Sequence, residues 1–145
     1  MKPEIVNLLN RLLAIQLKSF PQYLRWSRPY VPPGREEVLE TLVAVATDQD
    51  SIARRVSDMV NDAGYLPRQG EFPMEFTDMH DLGIDFLINA AVAYQEQDVA
   101  AIAALVERLQ TAPAGKAIAE EALGMAKGHL ETLRELHATA AGAAG

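Results

Sequence analysis

The chain has 145 residues, of which 49% are hydrophobic and 23% charged, and its 13 lysines and arginines against 20 aspartates and glutamates give a net charge of −7. This length suits a single domain with its own hydrophobic core. An acidic chain without a basic run lacks the charge that attracts nucleic acid or anionic lipid, so neither is an expected partner. Because the chain has no cysteine, it forms no disulfide, thiolate zinc site, iron–sulfur cluster or cysteine nucleophile.

Signals for export and membrane insertion are absent from the sequence pattern. Polar residues interrupt the first apolar segment at Glu4, Asn7, Asn10 and Arg11, which breaks the apolar core that a signal peptide needs. No later stretch reaches about 18 uninterrupted apolar residues, the length of a membrane span. The sequence therefore predicts a cytoplasmic protein outside the membrane.

The first half of the chain predicts two long helices. Apolar residues recur every three to four positions over residues 3–28, as in an amphipathic helix. Pro21 removes a backbone donor inside this pattern, so we expect a kink near Leu17 or a helix that restarts there. A second helix is predicted over residues 35–63, closed by Gly64 in a left-handed cap.

The third predicted helix starts at Thr77, whose side chain is a suitable N-cap, and runs through Gln95 or further. Residues 82–94 are apolar on nearly every face. A helix buried all round in so small a protein predicts a homodimer through this helix. A new helical piece is expected at Asp98, where a helical period resumes.

The fourth predicted helix covers residues 116–140, so that residues 1–140 form one all-α bundle and the Ala/Gly-rich residues 141–145 a flexible tail. The second helix is roughly 42 Å long at 1.5 Å per residue. The linker 64–76 reaches about 43 Å when fully extended. A long crossover between helices two and three is therefore feasible, while a looser linker permits simple up-down order.

Three segments resemble bacterioferritins, rubrerythrins and other ferritin-like proteins. They are residues 9–17 with Gln22-Tyr23-Leu24, the stretch from Ser51 to Gly64, and Gly128-His129-Leu130. The resemblance implies a ferritin-like four-helix bundle with a long crossover between helices two and three. Such bundles hold two iron or manganese ions through one carboxylate from each of two helices and a Glu-x-x-His pair from each of the others.

Most of the metal ligands that the resemblance implies are replaced. The first-helix glutamate falls on Gln16, and the third-helix position falls on Leu87, with Asp85 as a substitute. The remaining positions are those of the two Glu-x-x-His pairs: Asp48 with Ser51 on helix two, and Ala126 with His129 on helix four. If any metal binds, its ligands are Asp48, Asp85 and His129, and this set is too small for a dinuclear site.

The helical wheel gives an independent reading of these positions. His129 lies within about 50° of the centre of its apolar stripe, whereas Asp48 lies roughly 90° off centre and Ser51 on the outer flank. His129 is accordingly either a remnant ligand or a core histidine bonded to a neighbour such as Gln16. Gln16 and Gln49 lie on apolar stripes and are candidates for a polar network with His129, or for the edge of a small pocket.

Other polar and aromatic residues have simpler interpretations. His80 and His137 are expected in solvent, and a favourable interaction with the helix dipole explains the acidic cluster of Asp78 and Asp81 without any metal. Asp50 is expected to pair with Arg54 on an exposed face. An aromatic set near one end of the bundle has two interpretations. Its residues either belong to the core and a loop packed on it, or they form a surface that binds a ligand or a partner. They are Phe20, Tyr23, Trp26 and Tyr30, with Arg25 and Arg28. The haem-ligand methionine of bacterioferritins falls on Gln49, so haem is not implied.

Three functions follow as hypotheses, and the first is favoured. It is a dimeric binding or interaction protein without a working metal centre, without a cofactor and without enzyme activity, whose partner is an unknown small molecule or protein. The second is a metal-dependent ferroxidase or peroxide-detoxifying protein that uses Asp48, Asp85 and His129 with iron or manganese. The third is a small-molecule carrier with a pocket lined by His129, Gln16, Gln49 and aromatic residues.

Overall fold

The computed structural model of the protein describes residues 1–79 and 82–144, which contain helices and no strand. The predicted all-α class is confirmed. The elements in chain order are α1 (Pro3–Leu17), α2 (Phe20–Ser27), α3 (Glu36–Asp62), a short 3₁₀ helix (Met74–Met79), α4 (Ile84–Arg108) and α5 (Pro113–Ala144). None of the described helices is long and apolar enough to cross a membrane.

The predicted restart of the first helix is confirmed, and Ser19 provides the new cap. Its backbone is extended, and its hydroxyl oxygen accepts a hydrogen bond from the Gln22 amide at 3.3 Å, as an N-cap residue does. Pro21 lies in the first turn of α2, where a helix has no need of the missing N–H. The chain is therefore free to change direction between α1 and α2.

Two predicted boundaries of the third helix are wrong. Thr77 does not cap it, because Thr77 lies in the 3₁₀ helix and its hydroxyl donates to the Met74 carbonyl at 2.7 Å. The helix begins instead at Ile84, after Gly83. It is then unbroken to Arg108, so Asp98 lies inside α4 rather than at the start of a new piece.

The other long helices lie close to their predicted ranges. α3 covers nearly all of residues 35–63, and Gly64 after it has the left-handed φ of +87° expected of a cap. α5 begins earlier than predicted, at Pro113, and extends to Ala144. His80 and Asp81 lie outside the described residues, and the flexibility of residues 141–145 stays a prediction.

The core of the molecule consists of two apolar clusters. The first, here the α1 cluster, is built from α1, the second halves of α3 and α4, and the first half of α5. Its large buried members are Leu9, Leu12, Leu13, Ile52, Val56, Ile102, Leu109 and Ile118. The second, here the α2 cluster, is built from α2, the first halves of α3 and α4, the 3₁₀ helix and the second half of α5. Its large buried members are Phe20, Leu24, Leu42, Phe76, Leu87, Ile88 and Leu133.

The linker between α3 and α4 lies along α1. The Arg68 amide donates to Asn10 Oδ1 at 2.8 Å, and farther along the chain the ring of Phe72 contacts that of Tyr23 with centroids 5.4 Å apart. Between these points Gly70 has a φ of +73°, and a Cβ there would lie 3.0 Å from the Ala14 Cβ. Glycine is therefore required at position 70 for both its conformation and its close approach to α1.

Candidate functional site

Buried polar side chains form a layer between the two apolar clusters. In each long helix they lie at positions between the residues that belong to the α1 cluster and those that belong to the α2 cluster. The members of this central polar layer are Gln16, Ser19, Gln22, Gln49, Gln95 and His129. The layer is the natural place for a site, because polar groups are costly to bury unless they bond to one another or to a ligand.

One half of the layer ties α2 to α3. The Ser19 hydroxyl donates to Gln49 Oε1 at 2.7 Å, and the Gln22 Nε2 donates to the Gln16 carbonyl at 3.1 Å, the Ala46 carbonyl at 3.1 Å and Asp50 Oδ1 at 2.9 Å. Gln16 lies in the last turn of α1, where backbone carbonyls lack a partner within the helix, so the Gln22 side chain satisfies an acceptor at the break between α1 and α2. The Gln49 oxygen is thus occupied by Ser19.

An ion pair extends this half of the layer to the surface. Arg25 Nη1 lies 2.7 Å from Asp50 Oδ2, so the predicted pairing of Asp50 with Arg54 is replaced by a pairing between helices. Burial alone would raise the pKa of the Asp50 carboxyl, but the hydrogen bonds from Arg25 and Gln22 outweigh it and hold the pKa below its ordinary value. Arg25 therefore helps to fix α2 on α3.

Substitution of Gln22 by alanine tests this role. We expect a loss of about 2 kcal/mol in the free energy of unfolding, because the variant loses the four hydrogen bonds that the Gln22 side chain makes with the Gln16 and Ala46 carbonyls, Asp50 and Arg25. Urea denaturation measures the difference. Gln69→Ala, on the exposed linker, is the control, and a Gln22→Ala variant as stable as this control would contradict the assigned role.

The other half of the layer joins α3, α4 and α5 around His129. His129 is 8% exposed, and its Nε2 lies 2.8 Å from Asp48 Oδ2. His129 is thus a core histidine bonded to a neighbour, and that neighbour is Asp48 rather than the suggested Gln16. Asp48 reaches α5 although it lies off the centre of the apolar stripe, because α5 packs on that flank of α3, as the bond from Arg55 to Glu121 on the same flank also shows.

Gln95 is one of three members of the layer, with Ser19 and Gln22, that the sequence did not lead us to expect. It is 1% exposed, and its Nε2 donates to the Ala126 carbonyl at 3.1 Å. Its Oε1 and the His129 Nδ1 are buried atoms without a hydrogen-bond partner in the described part of the chain. The signal was present in the sequence, since Gln95 continues the buried stripe of Leu87, Ile88 and Ala91 at helical spacing.

The structure unites some of the predicted site residues and separates others. Asp48 and His129 are in contact, and the Ala126 carbonyl is bonded one turn away. Leu87 lies instead within the α2 cluster, Ser51 is exposed, and Asp85 is bonded to Arg35 at 2.8 Å. Asp48, Asp85 and His129 therefore do not form the three-ligand set that the sequence suggested.

The layer does not fit two iron or manganese ions. Those ions are held by carboxylates and imidazoles, whereas the layer offers neutral amides from α1, α3 and α4. Within residues 1–79 and 82–144, side chains included up to residue 139, no three histidine, aspartate or glutamate side chains converge as a metal site requires. We therefore derive no chemical step through a metal.

The predicted aromatic set divides into two pairs. Phe20 and Tyr23 are core residues, whereas Trp26 and Tyr30 are 72% and 78% exposed. The best-formed clefts among the described residues have volumes of about 240 to 530 Å³. None of these clefts is lined by His129, Gln16 or Gln49, the residues predicted for a carrier pocket.

Comparison with known proteins finds no relative of this chain. The chain matches no family model, no curated protein and no solved structure.

Proposed function

We propose that the chain is a ferritin-like four-helix bundle in which α1 and α2 together form the first helix and α3, α4 and α5 the other three. The pairs α1 with α3, α4 with α5, α1 with α4, and α3 with α5 are in contact. Arg35 and Asp85, bonded at the beginnings of α3 and α4, support a parallel orientation of these two helices. The linker along α1 supports the long crossover that such an orientation needs.

We infer further that this bundle has lost its di-metal chemistry and acts in the cytoplasm as a binding or interaction protein. The observation that carries this inference is the burial of neutral amides at the centre of the bundle, where a di-metal protein would hold acidic ligands. Gln16, Gln49 and Gln95 occupy buried central positions on three helices. A neutral amide neither compensates the charge of a divalent ion nor bridges two ions as a carboxylate does.

The inward register on α3 supports the same conclusion. Gln49 and Ile52 are buried at the three-residue spacing of a Glu-x-x-His pair, while Ser51 is exposed. The resemblance assigns the two ligand positions of this pair to Asp48 and Ser51. If the positions are shifted by one residue to the buried Gln49 and Ile52, an amide and an alkyl side chain occupy them. On α5 the corresponding pair is Ala126 and His129, so the imidazole is the remaining family ligand.

The rate of oxygen consumption after addition of ferrous iron tests this proposal against the ferroxidase alternative. We expect the protein to give no rate above that of buffer, because the central layer supplies no carboxylate set to bind the iron. His129→Ala and Asp48→Asn are the matched variants. A rate that the wild type shows and both variants lose would establish chemistry at the Asp48–His129 pair and overturn the proposal.

A dimer through α4 is the second part of the proposed function. Leu82 and Phe86 are 40% and 51% exposed at the start of α4, and the alanines at 93, 100 and 104 continue an exposed face along the same helix. Small side chains allow two helices to approach closely. We expect light scattering to give a mass near twice 15.8 kDa.

Phe86→Glu is expected to convert this dimer to a monomer, because it places a charge at the centre of an apolar contact. Leu66→Glu is the control, since Leu66 is 84% exposed on the linker and distant from this face in sequence. A wild-type mass of one chain, or a Phe86→Glu variant that stays dimeric, would contradict the α4 interface.

A further inference from the structure

A cleft at the edge of the central polar layer, with which it shares Ser19, lies where the α1–α2 junction, the linker and the middle of α4 meet. Its volume is about 240 Å³, room for about eight water molecules at liquid density. Apolar and aromatic side chains supply most of its wall, and a small number of charged groups converge on it. This composition is typical of a site for a small ligand.

Asp98 is a mostly buried carboxyl in the wall of the cleft without a partner among the described residues. Its side chain extends from α4 into the wall of the cleft, mostly buried, and it makes no hydrogen bond or ion pair with any described residue. Burial raises the pKa of its carboxyl to about 7, and no neighbouring charge contributes to this shift. A carboxyl in this state gains free energy from any cation that reaches it.

Three aromatic rings form the apolar wall beside Asp98. The rings of Phe20, Phe76 and Tyr94 contact one another with centroids 5.0 Å apart in each pair. Burial and the adjacent Glu75 carboxylate raise the pKa of the Tyr94 hydroxyl, in that order of importance. Phe20 and Phe76 are almost fully buried, and together with the less buried Tyr94 they give this side of the cleft an apolar surface. Such a wall suits the apolar body of a guest whose charge lies at Asp98.

The charged side chains of the wall leave a negative balance. Glu71 and Glu75 from the linker add to Asp98, and Lys18 is the cation among the lining residues. The Lys18 ammonium lies 4.7 Å from the centroid of the Phe72 ring, and Phe72 lines a neighbouring cleft with Lys18. Lys18 therefore does not neutralise Asp98.

We propose that this cleft binds a small organic ammonium ion, with the charged nitrogen at Asp98 and the apolar body against Phe20, Phe76 and Tyr94. The volume fits a primary amine of roughly six to ten non-hydrogen atoms. This inference rests on the proposed binding function and names one class of ligand for it. It involves neither the glutamines and His129 of the central layer nor a metal. The oxygen-consumption experiment and the experiment below can therefore fail independently.

Isothermal titration with 2-phenylethylamine tests the inference, with 2-phenylethanol as the uncharged analogue. We expect one amine per chain, at least tenfold weaker binding of the alcohol, and at least tenfold weaker binding of the amine to Asp98→Asn. At pH 6 amine binding should release close to one proton, since Asp98 gives up its proton to form the ion pair. At pH 8.5 the release should vanish, and buffers of different ionisation enthalpy measure it.

Controls separate this outcome from the alternatives. Glu107→Gln removes an exposed carboxylate from the same helix and should bind the amine as the wild type does. Circular dichroism shows whether Asp98→Asn is folded, and Asp98→Ser is a second variant for the same comparison. Equal binding of amine and alcohol, no binding of either, or unchanged binding by folded Asp98 variants would each overturn the inference.

Discussion

Gln95→Glu is expected to lower the free energy of unfolding at pH 7 by about 3 kcal/mol or more. The substitution keeps the size of the side chain but places a carboxylate at a position that is 1% exposed. One carboxylate oxygen takes the place of Nε2 and so faces the Ala126 carbonyl to which Nε2 donates. The other takes the place of Oε1, which has no partner in the described part of the chain, and an uncompensated buried charge costs several kcal/mol. This is a large fraction of the roughly 5–15 kcal/mol that stabilises a typical domain.

Gln95→Leu gives the matched comparison for this prediction. It removes one hydrogen bond to the Ala126 carbonyl together with an unsatisfied acceptor. Its free energy of unfolding should therefore be within about 1 kcal/mol of the wild-type value. Urea denaturation of both variants measures the contrast, and Gln110→Glu on an exposed position controls for the added charge. If Gln95→Glu were as stable as Gln95→Leu, a cation or solvent would reach the central layer, and the account of a neutral layer would be wrong.

Asp98→Asn is expected to gain stability over the wild type as the pH rises from 5 to 8. The folded-state pKa of Asp98 is about 7, above the ordinary value of 3.8, so between these values the folded protein holds a proton that the unfolded chain has lost. The stability contributed by that proton is fully present below pH 3.8 and is lost as the pH rises through 7. At about 1.4 kcal/mol per pH unit, the change from pH 5 to 8 is about 3 kcal/mol.

Denaturation of the wild type and the asparagine variant at both pH values measures this change. Buffers without amines are required, because an ammonium ion bound at Asp98 would stabilise the ionised form. The exposed Glu107→Gln variant should follow the wild type at both pH values. A constant difference between wild type and Asp98→Asn across this range would show that Asp98 is ionised normally in the folded protein.

Most of the helical architecture follows from local sequence signals, and the errors have local causes. The periodicity of residues 35–63 and the glycine after them predict α3 almost completely, and Pro21 predicts the restart that Ser19 caps. Thr77 has the side chain of an N-cap but uses it within the 3₁₀ helix. Asp98 resembles a helix start in sequence, yet the buried residues before and after it continue one unbroken stripe through α4.

The candidate site is less predictable because it depends on contacts between distant helices. His129 is correctly expected to be buried, since its own helix sets its direction. Its partner Asp48 is 81 residues away, and a helical wheel does not show which flank of α3 meets α5. The resemblance puts the third-helix ligand position at Leu87, whereas Gln95 is the α4 residue in the central layer. The height of α4 against α5 is fixed by packing, which the sequence of α4 alone does not specify.

The number of metal ions per chain in natively purified protein tests the central claim most directly. Purification without chelators followed by plasma mass spectrometry is expected to give near-zero iron, manganese and zinc, together with a visible spectrum free of cofactor absorption. That result agrees with a central layer of neutral amides in which Asp48 and His129 bind each other. About two ions per chain, reduced in a His129→Ala variant, would contradict the account and show that the bundle retains a working metal centre.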